Sequence, residues 1–110
     1  MLRKQYRLLT RLPAHSSRIY KIPYFTVRVS KNNVSVSRFG FVVSKKIDKR
    51  SVVRNKLKRQ MSSCIQKHLG KIQQSLDMSF FLKKEVLGLP KEGLAEEIEL
   101  FLKKEKLLQL

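Results

Sequence analysis

Residues 39 to 59 read FGFVVSKKIDKRSVVRNKLKR. Phe39, Phe41 and Val43 alternate with intervening residues as a strand does. From Ser51 onward the apolar period lengthens, so that Val53, Leu57, Met61, Cys64, Ile65 and Leu69 recur at helical spacing. Across that change Lys45 to Arg59 packs eight cations and one acid, Asp48, into fifteen residues. A disordered basic tail would lack apolar periodicity. The cations are therefore mounted on a folded element, as a binding surface for phosphate would be.

Upstream, Tyr24 to Ser30 alternates, with Phe25, Val27 and Val29 on one face and Tyr24, Thr26 and Arg28 on the other. Lys31-Asn32-Asn33 has the composition of a short turn, since Asn tolerates positive φ, and Val34 to Ser44 reads as a second strand. Pairing Ser30 with Val34 places Phe25 opposite Phe39 inside and Thr26 opposite Arg38 outside. The sheet then has one dry face and one face carrying Tyr24, Arg28 and Arg38. Pro13 and Pro23 leave room before it for a short helix near residues 4 to 12.

Downstream, a helix is expected from Ser51, its N-cap, to Leu69, with Gly70 as its stop. Val53, Leu57, Met61, Cys64, Ile65 and His68 share the core stripe. Asn55, Arg59, Ser62 and Gln66 lie opposite, flanked by Lys56 and Lys58, with Arg54 at the stripe's edge. Asp77 to Lys83 reads as a further strand, buried enough to carry Phe80 and Phe81 consecutively. Leu87 to Gly93 is a loop around Pro90, and Leu94 to Leu108 is a second amphipathic helix built on Leu94, Ile98, Phe101 and Leu108. Strand, helix, strand implies a crossover between parallel neighbours. Two helices against one small sheet make an α+β protein, a two-layer α/β sandwich.

The 110 residues fit a single domain, 1–110, in which residues 1–22 form a basic, poorly patterned N-terminal segment. Residues 1 to 60 hold 17 Lys/Arg against Asp48 alone, or +16, while residues 61 to 110 hold eight against seven, or +1. The binding face thus belongs to the first half, and its field suits a polyanion, nucleic acid before anionic membrane. Residues 1 to 21 carry six Lys/Arg and no acid, a composition shared with organellar transit peptides. Removing them would strip cations from the same basic half, so they are read as part of the domain. No apolar run approaches the roughly 20 residues of a membrane span. The single cysteine excludes an internal disulfide and suits a reducing, cytoplasmic setting.

Protein-based phosphodiester cleavage usually needs clustered carboxylates to hold metal ions, and Asp48 and Asp77 are the only acids before Glu85. Cys64 and His68 stand four apart, a spacing that could ligate metal or pair nucleophile with base. Both lie on the apolar stripe without a second ligand pair, so they read as core residues. No catalytic residue and no protein-held metal is expected. Phosphate binding needs only cations and backbone donors held rigidly. The helix start near Ser51 to Arg54, surrounded by Lys45, Lys46, Lys49 and Arg50 and extended by Arg54, Lys58 and Arg59, supplies both. Asn55 adds a donor and an acceptor. These features leave open a ribosomal or other structural RNA-binding protein and a duplex DNA binder.

Phe39 to Arg59 resembles the signature of the bacterial ribonuclease P protein component, in which a strand ending in Ser-Lys-Lys precedes Lys-x-x-Val-x-Arg-Asn-Arg-x-Lys-Arg. Ser44, Lys45, Lys46, Lys49, Val53, Arg54, Asn55, Lys58 and Arg59 match it. Lys56 replaces that core's second Arg, and Ser62 stands where a further Arg is expected. The resemblance implies a ribosomal protein S5 domain 2-like fold with a left-handed strand-helix-strand crossover, against the right-handed norm. It implies a protein subunit that binds a catalytic RNA and assists endonucleolytic removal of the 5′ leader from precursor tRNA. The RNA would hold most of the holoenzyme's Mg2+. Ser44, Lys45, Lys46, Lys49, Arg50, Arg54, Asn55, Lys56, Lys58 and Arg59 are then the expected RNA contacts, and Tyr24, Phe25, Arg28 and Arg38 candidate leader contacts. The family's N-terminal Asp-Phe-x-x-Val type segment has no clear counterpart between Leu8 and Pro23. Oligomeric state is not implied.

Overall fold

The computed structural model describes residues 6, 18–32, 34–90 and 92–105. Strands β1 (Arg18–Lys21), β2 (Phe25–Lys31) and β3 (Arg38–Val42) are followed by helix α1 (Ser51–His68), strand β4 (Leu76–Leu82), a 3-10 turn over Lys84–Gly88 and helix α2 (Gly93–Lys104). The strands form one mixed sheet in the order β1-β2-β4-β3. β1 and β4 run antiparallel to β2, while β3 and β4 are the parallel neighbours that the α1 crossover joins.

The alternation in β2 falls as its sequence predicts. Phe25, Val27 and Val29 are buried in one core with Met61, Cys64 and Ile65 of α1 and Leu94, Ile98, Phe101 and Leu102 of α2. Both helices thus cover one face of the sheet. Phe101 reaches over the strands and meets Tyr20 (5.4 Å between ring centroids), Phe25 (6.2 Å) and Phe80 (6.2 Å) edge-on. That geometry suits the negative faces and positive edges of the rings.

The expected β2–β3 hairpin is not formed. β4 inserts between the two strands, so Phe39 lies opposite Met78 rather than Phe25, and Arg38 opposite Asp77 rather than Thr26. Central placement lets Phe80, fully buried, sit between Val27 of β2 and Phe41 of β3, which an edge position would leave half solvated. Polar stitching fixes the arrangement. Asp77 Oδ1 accepts from Asn32 Nδ2 (2.8 Å) and Arg38 Nε (2.9 Å), tying β4 to the end of β2 and the start of β3. Asn32 also accepts from the Val34 N–H (3.0 Å) and donates to the Val36 carbonyl (3.1 Å). It therefore anchors a wider loop than the expected three-residue turn, whose Asn33 lies outside the described residues. Ser75 takes φ 65, a left-handed conformation uncommon for a side-chain-bearing residue. Its hydroxyl donates to the Val34 carbonyl (2.7 Å), which helps hold it there.

Other boundaries move. β3 is shorter than the expected Val34 to Ser44, β4 begins one residue before Asp77, and β1 falls within the segment read as unpatterned. Its four residues are too few to show a period. The N-cap of α1 is Arg50 rather than Ser51. Gly70 does not end α1 through a left-handed conformation, because no described glycine has positive φ. Instead the Leu69 N–H turns back to the Gln66 carbonyl (3.3 Å), and Lys71 and Ile72 both donate to the His68 carbonyl (2.9 and 3.1 Å). The region expected as a loop around Pro90 is entered through the Lys84–Gly88 turn. α2 ends at Lys104, short of the expected Leu108, with Glu105 as its C-cap donating its N–H to the Phe101 carbonyl (3.0 Å), and Leu108 lies outside the described residues. So does the expected helix near residues 4 to 12, except Tyr6, which packs against the core.

Candidate nucleic-acid interface

Strand β3 delivers the chain to a loop, and the loop delivers it to α1. Val43 and Ile47 are buried and pin the loop to the core, while Ser44, Lys45, Lys46, Lys49 and Arg50 are exposed. The Ile47 N–H closes a turn onto the Ser44 carbonyl (3.1 Å). Past the strand the apolar Val43 and Ile47 thus turn inward, four residues apart, and the cations between and after them turn outward. On α1 the stripe grades from half-buried Val53 and Leu57 to buried Met61, Cys64 and Ile65. Asn55, Lys56, Lys58 and Arg59 project away from it into solvent.

Asp48 organises this loop. Its carboxylate accepts two bonds from the Arg50 guanidinium, Nε at 3.1 Å and Nη2 at 3.0 Å, and a third from the Arg50 N–H at 2.9 Å. These bonds, the side-chain pair first, hold the carboxyl down at about 2, helped by the charge of Arg54. A folded-state value below the ordinary 3.8 means that the pairing contributes fully above the unfolded value and is lost as pH falls through about 2. An NMR titration of the Asp48 carboxyl carbon should therefore show its midpoint near 2 and, in Arg50→Ala, a return toward 3.8. A midpoint that Arg50→Ala leaves in place would sever the link between pairing and shift. Arg54, half-buried, bridges loop and helix through Nη1 to the Asp48 and Lys49 carbonyls, both at 3.4 Å. Arg59 donates to the Asn55 carbonyl at 3.4 Å.

The helix start has neither a side-chain cap nor an acid in its first turn. Its first N–H groups and the positive end of its dipole point out among these cations, an arrangement that favours a bound anion. Val52 is 73% exposed on the same turn, an apolar surface that the core does not explain and that reading for charge alone overlooks. Its sequence signal is its position off the Val53–Leu57–Met61 stripe.

The second candidate surface is the sheet face away from the helices. Paired residues share a face, so Ile19, Arg28, Ser79 and Gly40 form one outward row and Lys21, Thr26, Phe81 and Val42 the next. Gly40 and Ser79 keep the floor low. Arg28 lies with its guanidinium carbon 5.7 Å from the centre of the Phe81 ring. The candidate leader residues separate. Arg28 is on this face, and Tyr24 is half-buried and packed against the core. Phe25 is fully buried and cannot contact a ligand, because its side belongs to the inward set of β2. Arg38 faces outward but is engaged by Asp77 through two parallel bonds, Nε–Oδ1 at 2.9 Å and Nη2–Oδ2 at 2.8 Å. Phe81, expected in the core beside Phe80, is the aromatic of the open face. Its parity with Asp77 and Ser79 was the available sign.

Cys64 is buried, and its thiol donates to the Ala95 carbonyl at 3.5 Å. Burial, with a lesser contribution from Glu99, pushes the thiol up, away from nucleophilic use. Among the described residues no three His, Cys, Asp or Glu side chains are grouped to hold a metal ion, and no helix is long and apolar enough to cross a membrane.

The model of the ribonuclease P protein family matches residues 2–106. The chain belongs to that family. It is 35% identical over 63 residues to the ribonuclease P protein component of Synechocystis sp., a match covering 57% of this chain and 51% of that relative. It is 37% identical over 73 residues to the component of Alkaliphilus metalliredigens, covering 66% and 61%. The chain thus spans about half to two thirds of the length of these curated relatives. The solved RNase P protein from Thermotoga maritima superposes with a TM-score of 0.72 at 27% identity, over 81% of this chain and 86% of that one. The family assignment agrees with the resemblance carried by Phe39 to Arg59.

Proposed function

We propose that this chain is the RNA-binding protein subunit of ribonuclease P, acting with a catalytic RNA in endonucleolytic removal of the 5′ leader from precursor tRNA in the cytoplasm. One observation carries the reading: the family's ordered Lys, Arg and Asn residues project from an uncapped helix start that the buried Val43, Ile47 and Met61 hold rigid. A rigid array loses little side-chain and loop entropy on docking, so its charges are spent on phosphate. Lys45, Lys46 and Lys49 meet the backbone at the loop, and Lys56, Lys58 and Arg59 along the helix. Lys56 gives a point charge in place of the forked contact of an arginine. Asn55 offers its amide to a ribose hydroxyl. The open sheet face, with Arg28 against Phe81, is suited to stacking and cation contacts with a single-stranded leader.

On this reading the RNA supplies the chemistry, with Mg2+ held mainly by its phosphates. The protein residues fit that division. The carboxylate within the basic loop, Asp48, is engaged by Arg50, so the loop presents donors rather than metal ligands. The protein's part is to neutralise phosphate repulsion between catalytic RNA and substrate, which lowers the Mg2+ needed for assembly. Adding this protein to a bacterial ribonuclease P RNA at low Mg2+ should stimulate cleavage of precursor tRNA at the mature 5′ end. No stimulation, with the RNA active alone at high Mg2+, would refute the proposal.

A further inference from the structure

The first sixty residues carry one acid, Asp48, and it stands inside the loop that presents Lys45, Lys46 and Lys49. On charge alone it is out of place. A carboxylate there repels phosphate, and by pairing with Arg50 it also occupies a guanidinium, so the two residues together add no net charge to the field that RNA meets.

The geometry of the loop supplies a reason for it. The Asp48 side chain is 14% exposed against 76% for Arg50, so the carboxylate is the sheltered partner of the pair. Its Oδ1 accepts from the Arg50 N–H two residues on, closing a turn that ends at the residue before α1. The Asp48 and Lys49 carbonyls accept from Arg54 Nη1 on the first turn of the helix, and the Arg50 carbonyl accepts from the Arg54 N–H at 3.2 Å. On the other side, Ile47 is buried. The backbone between that anchor and the helix is thus held at each of residues 48, 49 and 50. Lys49 rises from the middle of this stretch, exposed and without an ion-pair partner among the described residues.

We propose that Asp48 is a positioning residue for RNA docking: it holds the Lys49–Arg50 backbone so that the loop cations and the start of α1 meet phosphates at one fixed spacing, favouring a folded catalytic RNA over other polyanions. The proposal rests on the RNA-binding reading above. A preformed spacing lowers the ordering cost only for an RNA whose phosphates match it, whereas counterion release favours any phosphate backbone. Removing the acid should therefore move affinities for matched and unmatched RNA in opposite directions.

The test compares Asp48→Ala with Asp48→Asn. Both make the same change of charge, but only Asn keeps an oxygen that can accept from the Arg50 N–H. Affinities would be measured for a bacterial ribonuclease P RNA and for an unrelated RNA duplex over a salt series. In Asp48→Ala the duplex should bind about two- to threefold more tightly, with a salt slope steeper by up to about one unit, because Arg50 is released. The ribonuclease P RNA should bind about five- to tenfold more weakly. Asp48→Asn should recover most of the ribonuclease P RNA affinity and match Asp48→Ala on the duplex. Reading the ratio of the two affinities removes any loss of folded protein common to both. A parallel rise on both RNAs in Asp48→Ala would mean that the acid acts through charge alone, and equal ratios for the two variants would mean that the turn plays no part; either overturns the proposal. If the unaltered protein shows no preference for ribonuclease P RNA over the duplex, the functional reading fails and the proposal with it. A preference that Asp48→Ala leaves intact overturns the proposal alone.

Discussion

Replacing Lys49 and Lys58 together with glutamate should weaken binding to a bacterial ribonuclease P RNA by about a hundredfold near 0.1 M salt and lower the log-log salt slope by about two units. One residue lies on the loop and the other on the helix, and both are exposed. Among the described residues neither side chain has an ion-pair partner, so each charge is free for phosphate. Arg50 and Arg54 are poorer probes. Arg50 already pairs with Asp48, and reversing Arg54 would also break the bonds that brace the loop against α1. Because Lys49 and Lys58 support no packing, thermal unfolding of the double variant should match the unaltered protein within about 0.5 kcal/mol. Affinity and slope would be read by filter binding or anisotropy over a salt series. A lost affinity with an unchanged slope would mean that the two side chains do not replace counterions on the RNA backbone.

Phe80→Ala should cost about 3–5 kcal/mol, a large share of the roughly 5–15 kcal/mol available to a small domain. Phe80 is fully buried at the centre of the sheet, its ring 5.8 Å from Phe25, 5.6 Å from Phe41 and 6.2 Å from Phe101. Truncation removes the contact that joins β2, β3 and α2 and leaves a cavity that their backbones cannot close. Urea unfolding followed by circular dichroism measures the loss. A cost below about 1 kcal/mol would mean that the aromatic cluster is not what holds β4 in the centre of the sheet. Since β3 and β4 flank the crossover, the same variant should loosen the presentation of the basic loop.

The basic helix was legible in the sequence because its apolar period and its cations fall on complementary sides. The apolar stripe from Val53 to Ile65 defines an inner face, and Lys58 and Arg59 then fall outside it without any tertiary information. Loop residues Lys45, Lys46 and Lys49 were legible through their place around the expected helix start and their match to the family signature, while the inward anchor at Ile47 appears only in the structure. Arg38 was not legible. Its partner Asp77 is 39 residues away, and nothing local distinguishes an arginine aimed at RNA from one locked by a carboxylate on a neighbouring strand. Phe25 was misplaced among ligand contacts although its own alternation put it inside. Phe81 was hidden by its neighbour, because two adjacent aromatics read as a buried run whereas the pleat sends one to each face.

By itself, the sequence determined the charge asymmetry, the strand-to-helix transition, the faces of β2 and α1, the parallel crossover and the family-specific order of cations. The transition, the faces and the order of cations depend on residues within a few positions of one another, where backbone period and side-chain chemistry suffice; the charge asymmetry is a sum over each half of the chain, and the parallel crossover follows from the order strand, helix, strand. Only the tertiary structure decided that β4 separates β2 from β3, that β1 extends the sheet, and that Asp77 captures Arg38. Each of these is a choice between long-range pairings of comparable local quality. The order of the sheet followed the burial of Phe80 on both flanks and the satisfaction of Asp77 by Asn32 and Arg38, terms that exist only once distant segments meet.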